Sequence, residues 1–494
     1  MIGQILRILD FSGGESSIYP YLAMPQKFAV KLQNCHVSET GGLGKIPGYS
    51  RVNLNPLEIA IKTGFEYKKS DGTTIILAAG SGKIWKLNVN VLEDLKIGLN
   101  GAAKVWFAQI ADKCIMSNGV DVPMIYDGAA VPNLGGLPVN TKFIKPHVHK
   151  GRVWWTDGIN RMMAFHSALN APEDYTTAAN AGYIDFRYVL PRGDELLDIV
   201  TYVDLLVFLF RNHVVIYSGT NPTAGGDFRV VQVISGVGVV SPNVALPLGS
   251  DLLFLHDTGV KSLRQVVTTG NMSIGDVSKY EATAIQREIK YGLALGNDFA
   301  VAHYPQRGWS CFLINEVVWI YSYIWKAWGR MVGADVNGLF HLMNGRMYLC
   351  GTGLVYDYGG YWSFDQTPIN MVWESPWMPY SRQNFMGYPK IMEMMFGKGV
   401  NINLDVMISH DMNAVMPGNI QTVQTKPGIS FMDAPQADTW DNAFFMDSVT
   451  EFGALRLPLF GYGKAVQIII SNISTQGPIE WNNIIIQGVM GGKL

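Results

Sequence analysis

Short apolar stretches that alternate with turns of Gly, Asn or Asp recur along the first three quarters of this sequence. Each copy reads as an apolar strand, a turn whose residues accept positive φ, and a second strand. Seven copies lie at Ile76–Leu87, Ile115–Asp127, Val153–Phe165, Leu209–Tyr217, Leu253–Leu263, Phe312–Tyr321 and Leu342–Gly351. They recur roughly every 35–60 residues, which is typical of propeller blades and solenoid coils. One hairpin cannot bury its own faces, so the copies must pack on one another, and a β-propeller is the simplest closed arrangement.

The pattern predicts an all-β chain in three regions. Residues 1–50 are irregular and rich in Gly, Ser and Pro, and we interpret them as an N-terminal arm. Residues 51–364 carry the hairpins and predict one β-propeller of about six blades. From residue 365 longer alternating strands take over, so residues 365–494 predict a C-terminal β-sandwich-like domain.

The C-terminal strands are recognised by alternation of apolar and polar positions. Ile402, Leu404, Val406 and Ile408 alternate with polar or small residues, as expected for a half-buried strand. Strands are predicted at Asn370–Glu374, Lys390–Phe396, Asn401–His410, Ala465–Ile470 and Trp481–Gln487. The segment Met412–Ala443 reads as a long loop, and such loops are usually functional or disordered. In an assembly it could act as a contact arm.

One helix is predicted within the propeller region. In Lys279–Leu293, three apolar residues spaced by four (Ile285, Ile289 and Leu293) share one face. Asp276 or Ser278 is a candidate residue to cap its start. We place this helix on a connection between two blades.

The arm carries seven apolar or aromatic residues in its first half and little repeat character: Ile5, Leu6, Ile8, Leu9, Phe11, Tyr19 and Tyr21. Two interpretations are open. The arm supplies the strand that closes the propeller ring, or it docks on a neighbouring molecule.

Composition adds a question about the surface. Charged residues make up 16% of the chain, against about 25% in an average soluble protein. One explanation is a large β-rich core. The other is a surface covered by further chains, because the 22 Met, 13 Trp and 22 Tyr belong to the residue types enriched at interface cores.

The charge argues against a protein that grips nucleic acid. The formal net charge is −2, whereas phosphate binding needs a basic patch. A net charge of −2 is still compatible with a surface along which DNA slides without being bound. We also predict no signal peptide, because the start lacks a basic region leading into an apolar one, and no membrane-spanning segment, because no apolar run reaches about 20 residues.

No constellation of residues indicates catalysis, so we predict no catalytic, cofactor-binding or metal-binding residues and no cofactor. Asp185 with Asp194 or Glu195 could form an acid pair, but loop carboxylates that cap turns or face solvent are the simpler interpretation. His147 and His149 alternate on one strand face, which suits a metal, yet no third ligand has recognisable spacing and ordinary hydrogen-bonded histidines are favoured.

Two further motifs are interpreted structurally. Gly236-Val237-Gly238 lacks a following helix with a third glycine, so it predicts a strand turn and not a dinucleotide site. The four cysteines are far apart and without CxxC spacing, which favours reduced, buried side chains: Cys35, Cys114, Cys311 and Cys350.

The order of these segments resembles the hub or nozzle proteins of short-tailed bacteriophages, also called packaged-DNA stabilisation or head-closure tail proteins. The resemblance covers most of the chain, in order, and no single motif in it is diagnostic. It is carried by the stretches Gly41–Tyr49, Gly151–Gly158, Asn170–Tyr175, Asp204–Gly219, Gly461–Ile470 and Ile484–Gly488.

The resemblance implies a structural tail tube subunit and no enzyme. It implies a β-propeller with added β domains, of which six copies form a ring below the portal and adaptor proteins. Genome DNA would be retained behind this ring and pass through its channel without specific binding. Tail fibres or tailspikes would be further partners, and the protein would reside in the virion tail after assembly in the host bacterial cytoplasm.

Two other functions remain open at this point. A propeller glycoside hydrolase would expose paired carboxylates among aromatic residues, and a receptor-binding tail protein would usually be trimeric. The Asp box of sialidases and the Trp-Asp ending of regulatory propellers are both missing from the sequence, which weakens the sugar-hydrolase interpretation.

Overall fold

The computed structural model describes residues 3–20, 22–177, 180–191, 193–223, 225–264, 275–380, 385–398, 403–411, 420–424 and 453–493. Seven strands lie in the N-terminal region: β1 (Gly3–Ile8), β2 (Gly14–Glu15), β3 (Phe28–Ala29), β4 (Lys31–Gln33), β5 (Cys35–Val37), β6 (Leu43–Lys45) and β7 (Gly48–Arg51).

Four antiparallel sheets follow, which we number as blades 1 to 4. Blade 1 contains β8 (Thr63–Lys68), β9 (Thr74–Gly80), β10 (Lys83–Asn88) and β11 (Val91–Lys96). Blade 2 contains β12 (Trp106–Ile110), β13 (Lys113–Ser117) and β14 (Met124–Tyr126). Blade 3 contains β15 (Phe143–His149), β16 (Arg152–Asp157), β17 (Met163–His166) and β18 (Gly182–Asp185). Blade 4 contains β19 (Leu196–Tyr202), β20 (Leu205–Phe210), β21 (His213–Ser218) and β22 (Arg229–Ser235).

Three more blades complete this part of the chain. Blade 5 contains β23 (Ala245–Leu248), β24 (Asp251–His256) and β25 (Gly259–Ser262). Blade 6 contains β26 (Ala300–Tyr304), β27 (Trp309–Ile314), β28 (Val317–Ser322) and β29 (Ala327–Met331). Blade 7 contains β30 (Gly338–His341), β31 (Met347–Cys350) and β32 (Val355–Tyr361), with β7 as its outer strand. Two 3-10 helices lie at Phe186–Tyr188 and Pro305–Arg307.

The seven blades form a closed ring. The first strand of each blade contacts the first strand of the next, and β30 of blade 7 contacts β8 of blade 1. The predicted all-β propeller is therefore confirmed, with seven blades among the described residues and not about six. Each hairpin found in the sequence lies in a different blade. The prediction of about six blades was too low, because each of the seven hairpins belongs to a blade of its own.

Strand β7 closes the ring between the two ends of the propeller. It pairs antiparallel with β32, so that Tyr49 lies opposite Tyr358. The Tyr49 ring stacks on Phe364 at 5.1 Å, and its hydroxyl accepts a hydrogen bond from the backbone N–H of Asp335 at 2.9 Å. The interpretation of the arm as the source of the closing strand is thus confirmed for Gly48–Arg51.

The C-terminal part contains β33 (Ser363–Phe364), β34 (Thr367–Glu374), β35 (Met378–Pro379), β36 (Phe385–Lys398), β37 (Asn403–His410), β38 (Ile420–Gln424), β39 (Gly453–Pro458), β40 (Ala465–Ser474) and β41 (Glu480–Lys493). One sheet has the order β39-β36-β41-β6-β5, with β1 also paired to β41, and the other joins β34, β40, β37 and β38. Both sheets contribute to one apolar core, which confirms the sandwich-like arrangement. Apart from β38, the predicted loop Met412–Ala443 lies outside the described residues.

The rest of the N-terminal region belongs to this sandwich. Ile5, Ile8 and Phe11 are buried in the same core as Trp373 and Ile486. Strand β4 pairs with β34 of the sandwich and, through Gln33, with β29 of blade 6. The N-terminal region therefore links the propeller to the sandwich. Of the other predicted arm residues, Leu9 is exposed, Tyr19 packs on Phe28, and Tyr21 lies outside the described residues.

The predicted helix is present as α1 (Ala282–Leu295), between blades 5 and 6. Ile285 and Ile289 are buried, as the spacing predicts. The predicted caps are wrong, because the N-cap residue is Glu281, which makes no side-chain capping bond. Asp276 instead accepts hydrogen bonds from the backbone N–H and the hydroxyl of Ser278.

Candidate functional site in the central channel

A polar residue lies within two positions of the start of the first strand in every blade. We call this set the channel ring; its members, from blade 1 to blade 7, are Lys62, Lys104, Lys145, Asp198, Asn243, Asp298 and Asn337. The first strands of a propeller surround its central channel. The ring thus places one polar group from each blade around the channel.

Four of the ring residues are joined in ion pairs. Lys62 Nζ lies 2.9 Å from Asp298 Oδ2, and the ammonium of Lys145 pairs with the carboxylate of Asp198. Asp198 is almost completely buried, and it also accepts a hydrogen bond of 2.8 Å from the backbone N–H of Asn243. These contacts tie blade 1 to blade 6, and blade 3 to blades 4 and 5.

Lys104 has no carboxylate within ion-pair distance among the residues that the structure describes. Its Nζ donates a hydrogen bond of 3.2 Å to the backbone carbonyl of Phe299 and lies 4.8 Å from the centre of the Trp106 ring. Burial lowers the pKa of Lys104, and the nearby Asp298 carboxylate opposes this shift. The amide nitrogen Nδ2 of Asn337 is buried and has no hydrogen-bond partner among the described residues.

Two cavities adjoin the ring. One of about 320 Å³ has aromatic walls that include Phe65, Trp106 and Phe107, with Lys145 and Asn243 among the polar residues that line it. A smaller one of about 160 Å³ is lined by residues that include Lys62, Asp298 and Asn337. Both cavities therefore lie beside polar groups of the ring, of which Lys62, Asp298 and Lys145 are engaged in the ion pairs described above.

The ring was missed from the sequence because the repeat was read from the second strand of each blade. Aligning the blades on their first strand places a charged or amide residue within two positions of the start of that strand in all seven copies. The spacing of the hairpins does not single out these positions, because Lys, Asp and Asn are common at the starts of strands on any protein surface.

The two candidate histidines are hydrogen-bonded to one threonine. His147 Nε2 and His149 Nδ1 lie 2.8 and 3.0 Å from the hydroxyl of Thr201. Burial lowers the pKa of His147 to about 3 and that of His149 to about 4, so both are neutral at pH 7. Among the described residues, no group of three or more potential ligands could hold a metal ion.

The candidate acids do not share a site but bind separate basic groups. Asp185 pairs with Arg187, whose side-chain hydrogen bonds lower the pKa of the carboxyl. Asp194 lies 2.5 Å from His213 Nδ1, and Glu195 lies 3.2 Å from Arg161. The simpler interpretation of these carboxylates, as structural groups, fits this geometry.

The glycines and cysteines behave as structural residues. Gly236 has a φ of 75° and follows β22, as a strand turn requires. Cys35, Cys114, Cys311 and Cys350 are free and buried. Burial raises the pKa of the Cys311 and Cys350 thiols to about 12, so they are protonated at neutral pH.

No protein-family model and no curated protein matches the sequence. Among solved structures, the chain is similar to the WD40 β-propeller domain of Doa1, with a TM-score of 0.43 and 9% identity over 64% of this chain and 97% of that one. It is also similar to BamB from Moraxella catarrhalis, with a TM-score of 0.39 and 12% identity over 72% of this chain and 97% of that one.

A third similar structure is the β-propeller domain of Cps50 (Swd1) from Myceliophteria thermophila. The TM-score is 0.41 and the identity 9%, over 61% of this chain and 98% of that domain. These similarities concern the fold alone. In the part of the chain that the structure describes, no helix has the length and apolar character to cross a membrane.

Proposed function

We propose that this protein is a structural tail tube subunit of a short-tailed bacteriophage, a hub or nozzle. Six copies would form a ring below the portal and adaptor proteins that retains the packaged DNA and conducts it during ejection. The ordered resemblance of the sequence motifs to that family supports this proposal. Tail fibres or tailspikes are the expected further partners, and the virion tail is the expected location.

The structural observation that carries the proposal is the outer strand of blade 4. Val230, Val231 and Val233 of β22 are 39%, 55% and 39% exposed. This strand pairs only with β21 among the described residues, so its other edge is open. Open apolar edges invite pairing with another chain and are usually protected in monomers. A ring of identical subunits would cover this edge by a contact that closes through rotation.

The glycoside hydrolase alternative has less support. Glycosidases generally need two carboxyl groups about 5–10 Å apart. The candidate acids Asp185, Asp194 and Glu195 each bind a separate basic residue. We therefore favour an assembly role over hydrolysis of a host polysaccharide.

The molar mass in solution tests the proposal. Light scattering coupled to size-exclusion chromatography is expected to give a hexamer, either alone or after addition of the adaptor protein. Incubation with capsular and lipopolysaccharide glycans is expected to release no sugars. A stable monomer in both settings that cleaves glycans would refute the tail tube role.

A second experiment concerns the DNA channel. Six-fold repetition turns each basic residue in the lumen into a ring of six, and every neutralised phosphate adds affinity. A tube that conducts DNA is expected to have a neutral or acidic lumen and to bind free duplex weakly. Fluorescence anisotropy at near-physiological salt measures this; a submicromolar dissociation constant with a steep salt dependence would exclude a sliding channel.

A further inference from the structure

A third cavity lies where the propeller meets the sandwich, and we call it the junction cavity. Its volume is about 420 Å³. The propeller contributes Arg307 and Trp309 of blade 6 to its lining, and the sheet that contains β5, β6 and β41 contributes His36 and Glu480. Cavities at such junctions, with a few convergent polar groups, are common places for small ligands.

Arg307 makes the propeller side of the junction cavity a hydrogen-bond donor. Its guanidinium carbon lies 5.5 Å from the centre of the Trp309 ring, and Nη1 donates a hydrogen bond of 3.4 Å to Nε2 of His36. None of the ion pairs among the described residues includes Arg307. A guanidinium has five N–H donors and no acceptor, so its contacts with His36 and with the Tyr304 hydroxyl leave several donors for a ligand. Two parallel donors of this kind match a carboxylate.

Glu480 makes the sandwich side of the same cavity a hydrogen-bond acceptor. The Thr40 hydroxyl donates to Glu480 Oε1 at 2.6 Å, and the hydroxyl oxygens of Ser38 and Thr40 lie 2.9 Å apart. An ionised carboxylate only accepts, so Ser38 in turn donates to Thr40. The protons of this chain of hydroxyls therefore point toward Glu480, whose carboxylate has lone pairs for further donors.

The junction cavity thus combines a cation that only donates with an anion that only accepts. From this arrangement we infer that it binds a small zwitterion, an amino acid whose carboxylate contacts Arg307 and whose ammonium contacts Glu480. Inorganic phosphate fits this cavity poorly, because the carboxylates of Glu480 and Glu39 both line it and would repel a dianion. The inference concerns a single chain and does not depend on the proposed tail function.

The test is a calorimetric titration of the full chain at constant ionic strength. Four amino acids with increasing separation between ammonium and carboxylate are the probes: glycine, 3-aminopropionate, 4-aminobutyrate and 6-aminohexanoate. Acetate, propionate, butyrate and hexanoate are their matched controls without the ammonium. The member of the series that binds most tightly measures the distance between the two charged contacts.

Two substitutions each remove one of the two charges. Arg307→Gln removes the guanidinium, and Glu480→Gln removes the carboxylate charge while its amide oxygen can still accept from Thr40. Arg161→Gln is the matched control, because Arg161 does not line the junction cavity and pairs with Glu195 at 3.2 Å with its side chain 60% exposed.

We expect at least one amino acid of the series to bind at least about tenfold more tightly than its matched carboxylate, the effect of one hydrogen bond between charged groups. Arg307→Gln should weaken its binding by at least about tenfold, Glu480→Gln should make amino acid and carboxylate bind equally, and Arg161→Gln should change neither affinity. If neither cavity variant folds, the comparison of the two ligand series on the wild-type protein decides alone. No binding of any of the four amino acids, equal binding of the two series to the wild type, or wild-type affinities in a folded cavity variant would overturn the inference.

Discussion

Lys62 of blade 1 and Asp298 of blade 6 form an ion pair, with 2.9 Å between Nζ and Oδ2, although blade 7 lies between these two blades in the ring. The contact crosses the end of the channel and spans the place where the propeller closes. It therefore adds a side-chain connection to the backbone closure made by β7.

A double-mutant cycle of Lys62→Met and Asp298→Asn measures this connection. Both side chains are about a third exposed, and partly exposed pairs typically contribute about 0.2–1 kcal/mol. We expect a coupling free energy in that range from denaturant unfolding. The same cycle on Lys86 and Glu93, an exposed pair within one blade, serves as the control. A coupling energy of zero for Lys62 and Asp298 would mean that the pair contributes nothing to closure.

Closure by β7 depends on a glycine. A Cβ on Gly48 would lie 2.0 Å from the backbone carbonyl oxygen of Ser363, which a backbone atom cannot easily avoid. Gly48→Ala is expected to lower the free energy of unfolding by about 1–3 kcal/mol, as overpacking does. At Gly135 a Cβ would meet nothing within 4 Å, so Gly135→Ala is the matched control and should cost nothing. Equal melting temperatures for the two variants would contradict the closing role of β7.

Two neighbouring residues of the N-terminal region differ in burial, so their substitutions test whether this region stabilises the sandwich core. Ile8 is 1% exposed within the sandwich core, whereas Leu9 is 58% exposed. Ile8→Ala should lower the free energy of unfolding by about 2–5 kcal/mol, and Leu9→Ala should change it by less than about 0.5 kcal/mol. Chemical denaturation of the monomer measures both. A loss for Leu9→Ala as large as that for Ile8→Ala would contradict this placement of the N-terminal region, because it would require Leu9 to be buried within the monomer.

A buried acid makes stability depend on pH. Glu281 at the start of α1 is completely buried. Glu15, which is also buried, lies near it and forms an ion pair with Arg330 at 2.8 Å. Burial raises the pKa of Glu281 to about 9, the Glu15 carboxylate adds to the shift, and Ser17 and Arg330 oppose it. Burial likewise raises the pKa of Glu15, against the charges of Arg330 and Lys31, while Glu374 adds to the shift.

The sign of this effect follows from proton binding. Between its usual pKa of 4.5 and about 9, Glu281 keeps its proton in the folded protein and loses it in the unfolded chain, so stability falls as pH rises through this window. Glu281→Gln cannot lose a proton, so between pH 5 and 8 the wild type should lose stability relative to the variant, by at most about 1.4 kcal/mol per pH unit. Glu58→Gln, at an exposed position, should follow the wild type. Parallel curves for the wild type and Glu281→Gln would disprove the assignment.

A charged residue introduced at the open edge of blade 4 tests whether this edge is a subunit contact. If the proposed ring assembles through this edge, Val231→Lys should reduce the fraction of assembled rings by at least about tenfold, because an unpaired ammonium is costly to bury in an interface. Val203→Lys in the turn between β19 and β20 is the control, since Val203 is 71% exposed on the same blade. Mass photometry with and without the adaptor protein reads out both variants. Rings that form equally well with Val231→Lys would place the subunit contact elsewhere.

Much of the architecture follows from local patterns. Each apolar strand, positive-φ turn and second strand is specified by neighbouring residues, so all seven hairpins could be located from sequence. The four-residue spacing of Ile285 and Ile289 likewise predicted α1, and the alternation of Leu404, Val406 and Ile408 predicted a sandwich strand whose inward residues are buried. These patterns repeat within a single strand or helix. They can therefore be recognised without knowing which other element that strand or helix packs against.

The pairings between distant parts of the chain could not be predicted from local patterns. That β7 completes blade 7, that Ile8 packs in the sandwich core and that seven polar residues meet in one channel ring all depend on long-range contacts. The partner of a four-residue strand or of a single lysine cannot be predicted from the neighbouring sequence. Many pairings would satisfy the same backbone hydrogen bonds and the same charge. Local sequence therefore specifies the hairpins and the sandwich strands, whereas the closure of the ring brings together residues that are distant along the chain.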